Sequence, residues 1–554
     1  MAVPVSSFDD EDKEVTATIT QSPGSHSQDI EDGSILPRES SSIKRDLKGR
    51  HINMIAIAGM IGTGLFLASG KVIVTAGPVG ALLAYFFMGL ITSGVSFTTG
   101  EISSFMPLSG GFVRHATRFV EPALGAALGW NFWYSLCVTA PAELSAAATL
   151  VQFWRPDINP AVWLSVFIVC IVVINFAGAR LYGESEVVFA SIKILLILGL
   201  IIAGIVVDLG GGPDHDRLGF RYWKNPGAFN TFLVDGNTGR FLAFWSTLVS
   251  AAFSYNNIQV VSLAGAETIN PRKIIPQAVK KTFYRVIIFY VISIFVVGII
   301  VPSNDASLKI SSGTAAESPF VIAFQRAGIS ALPSIINAVV CTSAVSSGSA
   351  CIFLASRTLY GLSDEGQAPK IFMRCNRFGT PYVAVAASLA LTPIVYMSVS
   401  TNASVVFGWF VNITTVSGLI SWAAIEITYL RFYYAMEAQN YSRDELPYKS
   451  AFQPYTAWAT GFILIVIIFF SGFYVFFPGQ WNISSFLSTY INIPIFLGLY
   501  IFFKFYMKSK IIPLDEINLA DEFDLIRLEK TAIVEEELEK ANRSFWLRLY
   551  HKIF

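Results

Sequence analysis

Charged side chains are scarce in this sequence. Only 14% of its 554 residues are Asp, Glu, Lys or Arg, about half the share that is usual in soluble domains, whereas 53% are hydrophobic. A composition so poor in charge excludes an ordinary soluble domain and indicates an integral membrane protein. The formal net charge is zero, so bulk charge suggests no nucleic-acid partner. The placement of the few charges therefore matters more than their sum.

Cysteine and histidine are also rare, with five of each in the whole sequence. The cysteines show no paired spacing and four of them lie in apolar runs, so we expect neither disulfides nor a metal site. The sequence has no histidine cluster and no nucleophile–base motif, which argues against a membrane enzyme.

The two ends of the sequence differ from its middle in composition. Residues 1–49 are rich in serine and acidic residues and lack a signal-peptide core, so we expect a disordered cytosolic tail. Residues 50–507 form the predicted transmembrane domain. Residues 508–554 carry a charged helical pattern from Asp521 to Lys540, which predicts a cytosolic helix that contacts the membrane edge or a partner.

Apolar runs of about 20 residues, the length that spans a bilayer as a helix, occur twelve times. The predicted fold is therefore an all-α membrane protein with twelve transmembrane helices. The predicted spans are roughly 52–74, 79–105, 124–150, 160–178, 186–207, 241–266, 283–302, 331–355, 382–399, 404–430, 456–477 and 484–504. Lysine and arginine concentrate in alternate loops, a pattern that places both termini in the cytosol.

The first span is interrupted by glycine at its middle, in the segment Ile61-Gly-Thr-Gly64. Glycine costs about 1 kcal/mol relative to alanine inside a helix, so this cluster predicts that the helix opens. An opened backbone in a bilayer must be buried in protein or face a polar cavity, which makes the segment a candidate ligand site. A close helix-packing face is the alternative, because small residues at this spacing serve that purpose too.

The sixth span carries an unusual polar run, Phe253-Ser-Tyr-Asn-Asn-Ile-Gln259. If the first ten spans are two inverted copies of five, this span should be broken as the first one is. Amide side chains at this depth usually face a cavity or the bundle interior. Hydrogen bonding between helices is the structural alternative.

Paired breaks suit a zwitterionic ligand, because a half-helix begins with exposed N–H groups and ends with exposed carbonyls. The amides near Gly62, Thr63 and Gly64 could bind a carboxylate. The carbonyls around Phe253, Ser254 and Tyr255 could bind an ammonium group, and a ring there could close over the ligand. The predicted substrate contacts are Ile61, Gly62, Thr63, Gly64, Phe253, Ser254, Tyr255, Asn256, Asn257 and Gln259.

Few ionisable residues lie within the spans, and Lys193 is the most informative of them. A lysine among apolar neighbours can release its proton when desolvated, and the alternative is a permanently charged partner of backbone carbonyls. Glu143 is a second candidate for titration or a buried hydrogen-bond anchor. Glu101 and Glu267 lie nearer the cytosolic ends, where each serves either a gate ion pair or a proton relay.

A series of motifs follows in order along the chain. They are Ile61-Gly-Thr-Gly-Leu-Phe66, Gly100-Glu101, Pro107-Leu-Ser-Gly-Gly111, Arg118-Phe-Val-Glu-Pro-Ala-Leu-Gly125, Gly129-Trp-Asn131, Tyr182-Gly-Glu-Ser-Glu186, Gly219-Phe-Arg-Tyr-Trp223, Asn225-Pro-Gly-Ala-Phe229, Asn270-Pro-Arg-Lys273, Ser356-Arg-Thr-Leu-Tyr360 and Gly366-Gln-Ala-Pro-Lys370. With this series the chain resembles a fungal amino-acid permease of the amino acid–polyamine–organocation superfamily, from about Arg50 to Met507.

The resemblance implies a five-plus-five inverted-repeat fold with discontinuous helices 1 and 6, two further C-terminal spans, and proton-coupled uptake across the plasma membrane. It implies no cofactor, and it places Lys193 where sodium-coupled relatives hold a cation. The N-terminal tail is similar to permease tails on which ubiquitin-driven endocytosis acts, although disorder alone explains its composition.

Three positions, in two spans, depart from the resemblance. In the sixth span Asn257 stands where glycine is usual and Gln259 stands where glutamate is usual, and in the eighth span Ser349 replaces a common asparagine. Gln259 cannot titrate, so any proton or cation role of that position is lost or moved.

The sequence therefore favours a proton-coupled symporter of neutral or broadly ranging amino acids. A carrier of related amines, of the carnitine, polyamine, GABA or proline type, is one alternative. A nutrient sensor or transceptor on the same fold is another.

Overall fold

The computed structural model describes residues 54, 62–108, 110–256, 258–265, 270–309, 318–400 and 403–553, and these are almost wholly helical. The predicted N-terminal tail lies outside the described residues. The helices are α1 Ser69–Phe105, α2 Gly111–Phe119, α3 Pro122–Val151, α4 Pro160–Phe176, α5 Ala179–Asp208, α6 Gly236–Ser254, α7 Val260–Gly265, α8 Pro271–Arg285, α9 Ile292–Ile300, α10 Ala306–Lys309, α11 Pro319–Arg326, α12 Ala331–Asp364, α13 Tyr382–Leu389, α14 Met397–Ser400, α15 Ala403–Ala438, α16 Tyr455–Phe470, α17 Ile483–Tyr490, α18 Asn492–Tyr506 and α19 Ala520–Ile553.

The interior is built around α3, which packs along both α12 and α15. Small residues line this contact, and Gly348 of α12 is an example. A Cβ atom at Gly348 would lie 3.6 Å from the carbonyl oxygen of Ala140 in α3. Close approach of this kind lets helices gain dispersion contacts where lipid supplies no hydrophobic driving force between them. A second group of contacts joins α1 to α6, α8 and α9.

The outer faces are apolar. On α4, Val162, Val166, Val169 and Val173 are all more than two-fifths exposed, as expected for side chains that face lipid. Among the described residues, eight helices are long and apolar enough to cross a bilayer. The pair α17 and α18, which is bent by 41°, would make a ninth.

Helices occupy the described part of every interval in which the sequence predicts a span, although only eight or nine meet the length criterion. Local features of individual helices explain why fewer helices than the twelve predicted spans meet this criterion. The first two predicted spans run together as Gly64–Phe105, and α4 has 17 residues. The sixth predicted span is divided between α6 and α7.

Gly77 separates the first two predicted spans inside Gly64–Phe105. Its backbone has φ 76° and ψ 171°, which is not helical, and Pro78 follows it. A Cβ atom at Gly77 would lie 2.8 Å from the carbonyl oxygen of Ala228, in the loop before α6. The same carbonyl accepts a hydrogen bond from the Val79 N–H at 3.0 Å. Glycine is required here both by its positive φ and by the approaching loop.

The C-terminal segment folds back onto one end of the helix bundle. The Gln439 amide donates to the carbonyls of Leu514 and Ile517 at 2.8 Å each. Phe523, at the start of α19, is fully buried and stacks on Tyr441 with ring centroids 4.2 Å apart. Arg272 of α8 forms ion pairs with Glu522 and Glu529. The helix predicted from Asp521 onwards is therefore present, and its first turns contact the same chain.

Replacing Phe523 with alanine should loosen this docking. Phenylalanine-to-alanine changes at buried sites cost roughly 3–5 kcal/mol, because transfer and cavity terms add. We expect faster hydrogen exchange across residues 508–530 in Phe523→Ala. Leu528→Ala on the same helix is the matched control, since Leu528 is 57% exposed. Equal exchange in the two variants would contradict the docking described here.

Candidate substrate and coupling site

The described part of the first span begins at Gly62. A single π-helical turn, Gly64–Ala68, leads into α1, and Thr63 is its N-terminal cap. The Thr63 N–H donates to the Glu143 carboxylate of α3, 3.1 Å from Oε2 and 3.4 Å from Oε1. The Thr63 hydroxyl is buried and has no hydrogen-bond partner among the described residues. Of the three amides predicted to bind a substrate carboxylate, that of Thr63 donates to the Glu143 carboxylate in this conformation.

Both glycines of this segment are needed by their surroundings. A Cβ atom at Gly62 would clash with the carboxylate oxygens of Glu143. A Cβ atom at Gly64 would lie 2.8 Å from Cα of Ser254 and 3.1 Å from a ring carbon of Phe253. The first contact is with backbone, which cannot move aside cheaply. The packing alternative considered for the glycines is thus correct in part, since they pack against the groups of the candidate site. Ile61 lies outside the described residues.

The sixth predicted span is interrupted where the sequence turns polar. Helix α6 ends at Ser254, and α7 begins at Val260. The N–H groups of Tyr255 and Asn256 make turn-type bonds to Ala252 and Phe253, at 3.0 and 3.2 Å. Asn257 lies outside the described residues. The end of α6 and the start of the Gly64 turn thus meet at the Gly64–Ser254 contact.

Aromatic side chains surround this junction. The Ser254 hydroxyl lies 3.0 Å from the Tyr85 hydroxyl, and the Tyr255 hydroxyl donates to the Tyr85 carbonyl at 2.9 Å. Phe253 packs edge-on against Phe407 of α15, with centroids 6.1 Å apart. Tyr255 is therefore anchored to α1 in this conformation, whereas Phe253 is the ring that lies against the first span.

The two amide residues near the break face α15. Asn256 Oδ1 lies 2.6 Å from the position that a Cβ atom would take at Gly418. Gln259 is 1% exposed, and its Oε1 accepts a hydrogen bond from Trp422 Nε1 at 2.8 Å. Gln259 Nε2 has no hydrogen-bond partner within the part of the chain that the structure describes. The Gln259 side chain therefore forms a hydrogen bond between helices, which is the structural alternative given for this polar run. Its Nε2 atom is left without a partner among the described residues.

Lys193 of α5 is 1% exposed, and its surroundings are more polar than the sequence suggests. Its Nζ donates to the Ser346 hydroxyl at 3.2 Å and lies 3.6 Å from Glu186 Oε1. Ser346 in turn donates to Glu186 Oε2 at 2.8 Å. Lys193 also acts electrostatically on Glu143. Lys193, Ser346 and Glu186 thus form a closed group of buried polar side chains, and its lysine acts on Glu143 through electrostatics.

Glu186 appears in the sequence analysis only at the end of a motif and has no predicted role there. The signal was present, because positions 186 and 193 are seven residues apart and lie on one face of a helix after two turns. The partner Ser346, in α12, could not be found from periodicity. Among the described residues, no group of three or more His, Cys, Asp or Glu side chains could hold a metal ion.

Glu101, at the end of α1, forms an ion pair with Arg443 in the segment after α15. The Arg443 Nη2 atom lies 2.8 and 2.9 Å from the two carboxylate oxygens, and Nε lies 3.0 Å from Oε1. Burial disfavours the Arg443 charge while Glu101 favours it, and the net effect raises the pKa of Arg443. Of the two interpretations of Glu101, the ion pair is the one present in this conformation. Glu267 lies outside the described residues.

The substitution Gly64→Ala adds one methyl group and should impair transport, because it overpacks the contact between Gly64 and Ser254. Overpacking costs about 1–3 kcal/mol, which corresponds to a loss of roughly 5- to 150-fold in substrate affinity or uptake. The measurement is initial uptake normalised to the amount of protein at the cell surface. Gly199→Ala in α5 is the matched control, because nothing lies within 4 Å of a Cβ atom there. Normal uptake by Gly64→Ala would show that the close contact is dispensable.

Removing Arg443 alone should destabilise the protein more than removing an exposed lysine. Arg443→Met leaves the fully buried Glu101 without its cation, at a cost of about 3–5 kcal/mol. Lys449→Met breaks an ion pair with Asp444 whose side chains are 51% and 78% exposed, and it should cost no more than about 1 kcal/mol. Thermal unfolding in detergent measures both. Adding Glu101→Gln to Arg443→Met should recover part of the loss, and a failure to do so would show that the pair is not coupled.

The sequence of the chain is similar to those of known proteins. Residues 51–514 match the amino acid permease family model. The chain is 41% identical to a proline-specific permease of Emericella nidulans over 93% of this chain and 94% of that protein. It is 39% identical to a dicarboxylic amino acid permease of Saccharomyces cerevisiae, over 87% and 80% of the two chains. A lysine-specific permease of the same yeast is 38% identical, over 94% and 85%.

The solved structures add information on the fold. The crystal structure of a manganese transporter from Eremococcus coleocola superimposes with a TM-score of 0.53 at 15% identity, covering 87% of this chain and 98% of that one. At this identity the similarity concerns the fold alone. The family match extends over most of the chain and agrees with the resemblance found from the motifs. The chain therefore belongs to the amino acid permease family, and it is a multi-pass membrane transporter of amino acids rather than an enzyme.

Proposed function

We propose that this protein is a proton-coupled symporter that imports amino acids across the plasma membrane by alternating access. The proposed architecture has twelve spans, with two inverted repeats of five followed by two further spans. Helices in every predicted interval and the fold similarity to a solved transporter support it. Breaks at corresponding positions of the two repeats support the inverted arrangement.

The observation that carries the proposal is the contact between Gly64 and Ser254. It brings the beginning of one half-helix against the end of another. The first four N–H groups of a helix and its last four carbonyls lack partners within the helix. A zwitterion placed at this junction would receive N–H groups on its carboxylate and carbonyls on its ammonium group. In the present conformation Glu143 accepts from the Thr63 N–H, so we infer that substrate displaces it.

A neutral side chain suits the junction best. Phe253 and Phe407 are aromatic, and the residue at position 259 is a glutamine that carries no charge. Among the relatives, permeases named for proline, dicarboxylic amino acids and lysine have 38–41% identity, so similarity alone does not select a substrate. We therefore propose neutral amino acids, proline among them. Carnitine, GABA and polyamines are the alternative amines.

The proton is assigned to Lys193 because its Nζ is buried between one hydroxyl and one carboxylate. Removing a proton from Lys193 would leave Glu186 without its cation, so the charge of each group stabilises that of the other. The electrostatic contact with Glu143 supplies a physical route by which the proton affects the substrate junction. A change in the charge of Lys193 alters the strength of the hydrogen bond from the Thr63 N–H to the Glu143 carboxylate.

The proposed orientation places both termini and the docked C-terminal segment in the cytosol, on the basis of the positive-inside pattern. The lysines near the serine- and acid-rich tail, residues 1–49, are proposed substrates of a ubiquitin ligase. The lipid bilayer is the remaining partner.

A competition panel tests the substrate class. Uptake of labelled proline is measured in cells that lack their own permeases, with unlabelled neutral, acidic and basic amino acids, polyamines, GABA and carnitine as competitors. We expect neutral amino acids to compete best. Strong competition by lysine or glutamate would contradict the neutral site. Substrate binding without any uptake would contradict transport and would indicate a transceptor.

Lys193→Ala should abolish proton-driven accumulation. The variant removes the group that takes up the proton, so labelled substrate should equilibrate across the membrane without being concentrated by an imposed pH gradient. Proteoliposomes with inward-directed proton gradients measure this. Lys510→Ala, in the exposed segment before α19, is the control and should accumulate substrate normally. Unchanged accumulation by Lys193→Ala would remove this residue from the coupling.

A further inference from the structure

One buried carboxyl group has no part in the site described so far. Glu426 lies in α15 and is completely buried. Its Oε1 is 3.2 Å from the hydroxyl oxygen of Thr98 in α1. Its Oε2 has no hydrogen-bond partner among the described residues. An ionised carboxylate in such a place costs several kcal/mol, so the group needs either a cation or a proton.

No ion pair joins Glu426 to a cation within the described part of the chain. The groups that face it are few. Helix α1 contributes the Thr98 hydroxyl and, one turn further on, Glu101, whose charge is already matched by Arg443. Helix α16 contributes Gly461, whose Cβ position is 3.4 Å from Cβ of Glu426, and α16 contains no charged residue. On α15 itself the next turn carries Tyr429, which interacts with Glu101.

The hydrogen-bond geometry around Glu426 favours the protonated form of its carboxyl group. The Thr98 hydroxyl has one proton to donate, and it lies 2.9 Å from the carbonyl oxygen of Val95 on its own helix. Threonine commonly makes this back-bond within a helix. When Thr98 donates to Val95, the contact between Thr98 and Glu426 is a hydrogen bond only if Glu426 donates. With Thr98 donating to Val95, a neutral Glu426 satisfies the geometry, whereas an ionised one has no donor for either oxygen among the described residues.

The position of Glu426 connects it to the moving parts of an alternating-access transporter. Helix α1 continues from the first break, and Thr98 belongs to it. Trp422, one turn before Glu426, donates to Gln259 beside the second break. A displacement of α1 relative to α15 would separate Thr98 from Glu426 and admit water to the carboxyl group.

We propose that Glu426 is a second proton-carrying residue, protonated in this conformation and deprotonated when α1 moves away from α15. In that step the O–H bond of the carboxyl group breaks, the electron pair stays on the carboxylate, and water takes the proton. The transport part of this inference rests on the proposed symport, whereas the protonation state of Glu426 does not.

Infrared spectroscopy of the protein in proteoliposomes tests the protonation directly. The wild type should show a protonated-carboxyl stretching band at neutral pH that Glu426→Gln lacks. Thr98→Val keeps the carboxyl group and removes its partner, so the band should remain and shift in frequency. Identical spectra for the wild type and Glu426→Gln would show that Glu426 is ionised and would overturn the inference.

The number of protons moved per substrate molecule tests the role in transport. Reversal potentials in proteoliposomes should show that Glu426→Gln moves one proton fewer than the wild type, while Thr98→Val keeps the wild-type ratio. Glutamine preserves the size and hydrogen-bonding capacity of the side chain, and binding of labelled substrate verifies that the variant is folded. A proton-coupled wild type with an unchanged ratio in Glu426→Gln overturns this inference alone. A wild type that ignores the proton gradient overturns the proposed symport as well.

Discussion

The structure depends on one constraint: a backbone that leaves the helical conformation inside a membrane must find polar partners within the protein. At the start of the first described helix, Glu143 meets this demand by accepting from the Thr63 N–H. Between α6 and α7, turn-type bonds from the N–H groups of Tyr255 and Asn256 serve the same purpose. Groups that satisfy a broken backbone can also exchange that role with a ligand. The structural requirement and the proposed binding capacity thus come from the same atoms.

The proposed coupling between proton and substrate depends on Glu143. This carboxyl group accepts from the Thr63 N–H and interacts electrostatically with Lys193, the cation beside Glu186. A proton lost from Lys193 would change the charge balance around Glu143 and thereby its hold on the Thr63 amide. Substrate that displaces Glu143 would in turn alter the field at Lys193. Reciprocity of this kind is what thermodynamic linkage requires of two coupled ligands.

Several of these features could be predicted from the sequence, because they depend on local composition. The run of amides after Phe253 marks the interruption between α6 and α7, Gly62 and Gly64 mark a closely packed segment, and apolar length marks the helices. The partners of the site residues could not be predicted. Arg443 is 342 positions from Glu101, and Ser346 is 153 positions from Lys193. Such pairs are set by the way the helices pack, which no periodicity in one segment reveals. The pairing of Glu186 with Lys193 could have been predicted, because a spacing of seven residues places both on one face of a helix.

The most direct measurement is a structure of the protein with a neutral amino acid bound. If the two breaks form the substrate site, the ligand carboxylate will lie within hydrogen-bond distance of the N–H groups at Thr63 and Gly64. Its ammonium group will face the carbonyls at the end of α6, and Glu143 will have moved away from Thr63. A ligand bound elsewhere, with the Glu143–Thr63 hydrogen bond intact, would contradict this assignment.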